Sequence, residues 1–114
     1  MAVLRLPIDS TDPHARQLVE LEGSTYAIET DWNDRDQAWF CSIYTNEGTA
    51  LITGYRLVIG ALPIRRVVGD TRPPGEIQVV DTAGGYVDPG RDDLGSRVIL
   101  LYWERETLEA ELGG

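Results

Sequence analysis

Lysine is absent. All ten basic side chains of this 114-residue chain are arginines, set against 19 acidic ones, for a formal charge of −9. Nucleic-acid binding needs clustered Lys and Arg to neutralise phosphates. The one adjacent basic pair is Arg65–Arg66. No specific nucleic-acid partner is therefore expected, and association with an anionic membrane surface is disfavoured for the same reason. Cysteine occurs once, at Cys41, which excludes an internal disulfide and any multi-cysteine zinc site. Long apolar runs are missing too. The longest, Val98–Trp103, is strand-sized and far short of the ~20 residues that span a bilayer. Met1–Asp9 carries one arginine and a short apolar stretch broken by Pro7, unlike a secretory leader.

What is present has the proportions of a globular domain, with 42% hydrophobic and 25% charged residues. A chain of this length buries roughly 65% of its unfolded surface, enough for one core without a metal or disulfide staple. Residues 1–103 read as a single β domain and 104–114 as a Glu-rich tail. Glycine (12) and proline (6) are scattered rather than gathered in a linker. They break the apolar pattern into short runs, the signature of many short strands.

Ala2–Ile8 is the first expected strand. Gln17–Glu22 and Thr25–Trp32 follow around a Gly23–Ser24 turn. In the second of these Tyr26, Ile28, Thr30 and Trp32 share one face, while Glu29 and Asp31 fall on the other. Ala38–Tyr44 and Thr49–Tyr55 flank a turn at Asn46–Gly48. Leu57–Pro63 is apolar with a bend at Gly60, and Ile64–Val68 reads as a short strand. Gly69–Gly75 is a loop, Glu76–Asp81 a strand, Thr82–Gly85 a turn, Tyr86–Gly95 an acidic loop and Ser96–Trp103 the last strand. Glu104–Leu112, with Leu108 and Leu112 at i and i+4, reads as a short helix. The expected fold is all-β: an antiparallel meander forming a small barrel or sandwich, with a short C-terminal helical tail.

Chemistry-bearing residues are few. Cys41 lies mid-strand and His14 in a polar loop, so a Cys/His nucleophilic pair is not indicated. A buried, inert thiol is the simpler reading. Asp88, Asp92 and Asp93 could ligate a hard cation, and through it serve a metal-dependent hydrolase, but no EF-hand spacing is present. The turn at Pro89–Gly90, with Asp92 or Asp93 capping the backbone that follows, accounts for the same residues. Asp31, Asp34 and Asp36 gather near a hairpin tip as solvated charge. Trp32, Trp39 and Trp103 fall in strands. They are core residues, or one of them faces a partner, or two of them stack on a sugar in a small carbohydrate- or ligand-binding barrel. No residue is assigned a catalytic, cofactor-binding or metal-binding role.

The order of these segments is distinctive. Trp39-Phe40-x-x-Ile43-Tyr44 precedes Gly48-Thr49-x-Leu51-Ile52-x-Gly54 and Leu57-Val58-x-Gly60. Gly75-Glu76-Ile77 and Val80-Asp81 follow. Then come Asp88-Pro89-Gly90-x-Asp92-Asp93-Leu94-Gly95 and Val98-x-Leu100-x-Tyr102. Over residues 17–103 this resembles the small baseplate plug proteins of contractile-tailed phages and related prophages. The resemblance implies a structural, non-enzymatic virion component at the centre of the tail baseplate, assembled in the bacterial host cytoplasm. Its implied partners are baseplate hub, spike or tail-tube proteins, with a homo-oligomer as an alternative. Ala2–Ile8 and Glu104–Gly114 are the segments best placed to complete a neighbour's sheet.

Overall fold

The structure, a computed structural model, describes residues 3–61, 63–66 and 73–105. The strands are β1 (Val3–Arg5), β2 (His14–Leu21), β3 (Ser24–Asn33), β4 (Ala38–Thr45), β5 (Ala50–Arg56), β6 (Glu76–Asp81) and β7 (Val98–Trp103). They form two antiparallel sheets, ordered β2-β3-β4-β5 and β1-β7-β6. No barrel closes. The four-stranded sheet is the expected meander, whereas the other sheet departs from it. In that sheet β1 skips its sequence neighbour and pairs with β7, placing Val3 opposite Trp103.

The meander forms because its strands alternate and its turns have the right residues. In β3, Tyr26, Ile28 and Thr30 are buried, as period-two alternation demands. The β2–β3 turn lies one residue earlier than expected, at Glu22–Gly23. Both have positive φ, +50° and +89°, the pattern of a type I′ hairpin. Glycine takes this conformation at no steric cost, but Glu22 does not. Its carboxylate has a compensating role, accepting hydrogen bonds from the Tyr102 hydroxyl (2.5 Å) and the Arg105 amide (3.2 Å). The first of these joins a turn of one sheet to the central strand of the other.

One apolar core draws on both sheets: Val19, Ile28, Trp39 and Ile43 from the first, Ile77, Val79, Val98 and Leu100 from the second. The segment between β5 and the following turn stitches them together. The Leu57 amide donates to Trp39 O, and the Gly60 amide donates to Val79 O on the outer edge of β6. This partly covers that edge against stray pairing.

The expected strand at Ile64–Val68 is replaced, over its described part, by a 3₁₀ turn at Pro63–Arg66. Proline suits the first position of such a turn because its fixed φ matches and its missing N–H costs nothing. The buried Glu76 carboxylate accepts the Ile64 amide (2.8 Å) and the Ile77 amide (2.9 Å), holding the turn against β6. Among the described residues there is no α-helical element. The helical tail expected at Glu104–Leu112 falls from 106 onward outside the described residues, as do 67 and 68.

Gly75 has the tightest surroundings among the described glycines. Its amide donates to the Tyr102 hydroxyl, and a Cβ there would sit 2.0 Å from Trp103 O and 2.7 Å from the Tyr102 oxygen. Gly75→Ala must therefore push backbone apart. We expect a loss on the order of 3 kcal/mol and a Tm lower by about 10 °C or more, read by thermal unfolding.

Candidate functional site

The loop from Thr82 to Arg97 has almost no regular structure, yet it is held at many points. Arg97 is the centre of its bonding. One guanidinium nitrogen donates to Asp81 Oδ2 (2.7 Å) and Val87 O (2.9 Å), the other to Asp88 O (3.2 Å) and Asp93 Oδ2 (3.0 Å). A planar guanidinium suits this task because its donors fan out in a fixed fork. The Asp81 side chain is only 2% exposed, so its charge has little other neutralisation. Its second oxygen accepts the Ala83 amide. The hydrogen bond from Arg97, and then that from the Gly90 amide, hold the Asp93 carboxyl below its ordinary value. Asp93 and Asp81 in turn push the Arg97 guanidinium further toward its charged form.

Further ties fix the far side of the loop. Asp88 Oδ1 accepts the Ile59 amide (3.1 Å), the Trp39 indole donates to Gly90 O (2.9 Å), and Arg91 donates to Ser10 O (2.5 Å). The Arg91 guanidinium also lies 5.5 Å from the Trp39 ring centroid, a cation–π distance.

This arrangement accounts for the three loop aspartates. Asp88 and Asp93 are committed to backbone amides and Arg97, and Asp92 is exposed. Asp93 does form an Asx-type contact, but it caps the preceding Gly90 amide (2.6 Å) rather than the backbone that follows. Among the described residues no three His, Cys, Asp or Glu side chains are grouped to hold a metal ion.

The remaining candidates disperse. His14 is the first residue of β2 rather than part of a loop, and its Nδ1 meets Asp31 Oδ1 at 2.7 Å. Arg16 pairs with Glu29 (2.8 Å) one step along and lies over Tyr44. Asp34 accepts from the Trp32 indole and the Gln37 amide group, and the Asn33 side chain accepts the Asp36 amide. Cys41 is buried on the opposite face of the sheet from His14, and burial pushes its thiol up to about 12. A nucleophilic pair is excluded by this placement.

The tryptophans do not make a sugar platform. Trp39 is 0% exposed, Trp32 packs on it with ring centroids 5.5 Å apart, and half-buried Trp103 belongs to the other sheet. A polar cleft of about 460 Å³ opens between the β2–β3 and β4–β5 turns, and no tryptophan lines it.

Sequence reasoning passed over Arg97, Glu22, and the exposed pair Tyr86–Val87. Only the last left a local signal: two adjacent apolar residues inside an acidic, turn-rich loop.

The fold that carries this pinned loop is matched over residues 3–106 by a family model described as cyanophage baseplate Pam3 plug gp18. The chain belongs to this family. No curated protein matches it. As a baseplate plug it is a structural component of the virion tail, and the all-β fold agrees with that role. Segments quoted for the resemblance meet in the fold. Trp39 and Gly90 meet directly, and Val98, Leu100 and Tyr102 form the core face of β7.

Proposed function

We propose that the protein acts without catalysis, as a plug held at the centre of the contractile-tail baseplate by contacts with hub, spike or tail-tube proteins. The observation that carries this reading is the family membership over residues 3–106. The bonding of the acidic loop supports it, because the carboxylates serve to shape a surface rather than to converge on a substrate. In this reading residues 1–103 are the β domain that supplies the rigid body, and residues 104–114 are a Glu-rich tail that a neighbour engages. Assembly takes place in the bacterial host cytoplasm, before the virion is complete.

A charge of −9 with no lysine has a simple use in such a place. Like charge repels the phosphate backbone, so DNA passing the plug does not adhere. The test is a mass measurement of the isolated chain with and without the hub protein of the same phage, run beside a DNA titration. A stable complex with the hub and no detectable DNA binding at low salt is the expected result. An inert monomer, or tight DNA binding, would contradict it.

A further inference from the structure

Tyr86 and Val87 are 87% and 68% exposed, the two most exposed large apolar side chains described. Single exposed apolar residues are common and need no explanation. These two differ because they are adjacent and because the backbone beneath them is fixed. Arg97 holds Val87 O and Asp88 O, Asp88 holds the Ile59 amide, and Pro89, next along, is buried. A folded chain alone gains nothing from presenting an aromatic and a branched aliphatic side chain to water on a pinned loop. A docking surface does gain, because tyrosine offers a large contact area with little entropy left to lose.

Asp88, next to the pair in the chain, is exposed, and so is Asp92 further along the same loop. They select the partner by charge. A second copy of this chain would bring a like-charged loop and a further −9 against them, while a socket rimmed by Arg or Lys would be attracted.

We infer that Tyr86 and Val87 are the anchor by which the plug docks into a protein partner, seated in an apolar socket with a basic rim, the acidic loop residues Asp88 and Asp92 steering that encounter. This rests on the baseplate-plug reading and names the face it uses.

The experiment measures binding of the full chain to the separately purified hub, spike and tail-tube proteins of the same phage. Wild type is compared with Tyr86→Ala/Val87→Ser and with Asp92→Asn. The double variant should keep the wild-type Tm, since both side chains are exposed, and should bind its partner at least ~30-fold more weakly, as expected for an anchor. Asp92→Asn should bind with a shallower dependence on salt. Wild-type binding that the double variant retains within about threefold overturns the anchor while leaving the plug reading intact. Failure of wild type to bind any of the three proteins overturns both. Self-association of the isolated chain that the double variant abolishes would make a second copy the occupant and refute the basic-rimmed partner.

Discussion

Arg97→Met is expected to lower the stability of the fold, because it leaves the buried Asp81 carboxylate without the partly exposed guanidinium that faces it. The reason lies in what remains. The Asp81 side chain, 2% exposed, loses its cationic partner, and Val87 O, Asp88 O and Asp93 Oδ2 each lose a donor. Arg97→Met/Asp81→Asn should recover part of the loss, because the asparagine keeps an oxygen for the Ala83 amide and carries no charge. Arg97→Lys should fall between, since a single ammonium cannot reach acceptors spread around a planar fork. Denaturant titrations of the four proteins decide this. Equal stability of Arg97→Met and wild type would show that the clasp contributes nothing. The same clasp sets an acid limit. Asp93 is depressed below its ordinary 3.8 in the folded state, so the folded chain binds that proton less readily than the unfolded chain does. The contribution is complete above the ordinary value and is lost as pH falls through the lower folded one. Arg97→Met should be less acid-sensitive in that window.

Trp39→Ala is expected to cost about 3–5 kcal/mol, the range for deleting a large aromatic from a core. Its indole is fully buried, packs on Trp32 and Arg91, and ties β4 to the loop through Gly90 O. Trp39→Phe separates the two contributions. It keeps most of the apolar contact and leaves Gly90 O with only the longer bond from the Asp93 amide (3.2 Å), for a loss of about 1 kcal/mol. Hydrogen exchange should then quicken at residues 88–93 while the core of β3 and β4 stays protected. An unchanged loop in Trp39→Phe would show that the indole bond does not hold it.

The parts of the fold that sequence discloses are those set by near neighbours. Tyr26, Ile28 and Thr30 announce a half-buried strand by alternation alone, and Asn46–Gly48 announces a turn. The β2–β3 turn was misplaced by one residue because Glu22 adopts positive φ, which its own residue type does not suggest. Its reason is a bond to Tyr102, 80 positions away. The pairing of β1 with β7 is equally non-local, so a barrel and two separate sheets could not be told apart beforehand. Ile64 looked strand-like because an apolar residue beside Pro63 fits either a strand or a 3₁₀ turn, and the Glu76 carboxylate decides it. At the loop, the aspartates drew notice as a charge cluster. The residue that organises them, Arg97, lies at the edge of the last strand, and nothing local shows that Asp81, Val87, Asp88 and Asp93 converge on it. The family resemblance was legible for a different reason: it depends on the order of turn and strand segments, which survives without knowledge of their contacts.

The antiparallel pairing of β1 with β7 also sets how the molecule answers a pull. Val3 stands opposite Trp103, Leu4 opposite Tyr102 and Arg5 opposite Leu101, so both strand ends emerge at the same side of the ladder. Tension between those ends parts the pairs in succession, like a zipper, and meets little resistance. Tension delivered through the Tyr86 loop is instead shared at one moment among the several bonds of Arg97. The chain is therefore mechanically anisotropic, weak when drawn from its strand ends and stiff when gripped by its loop.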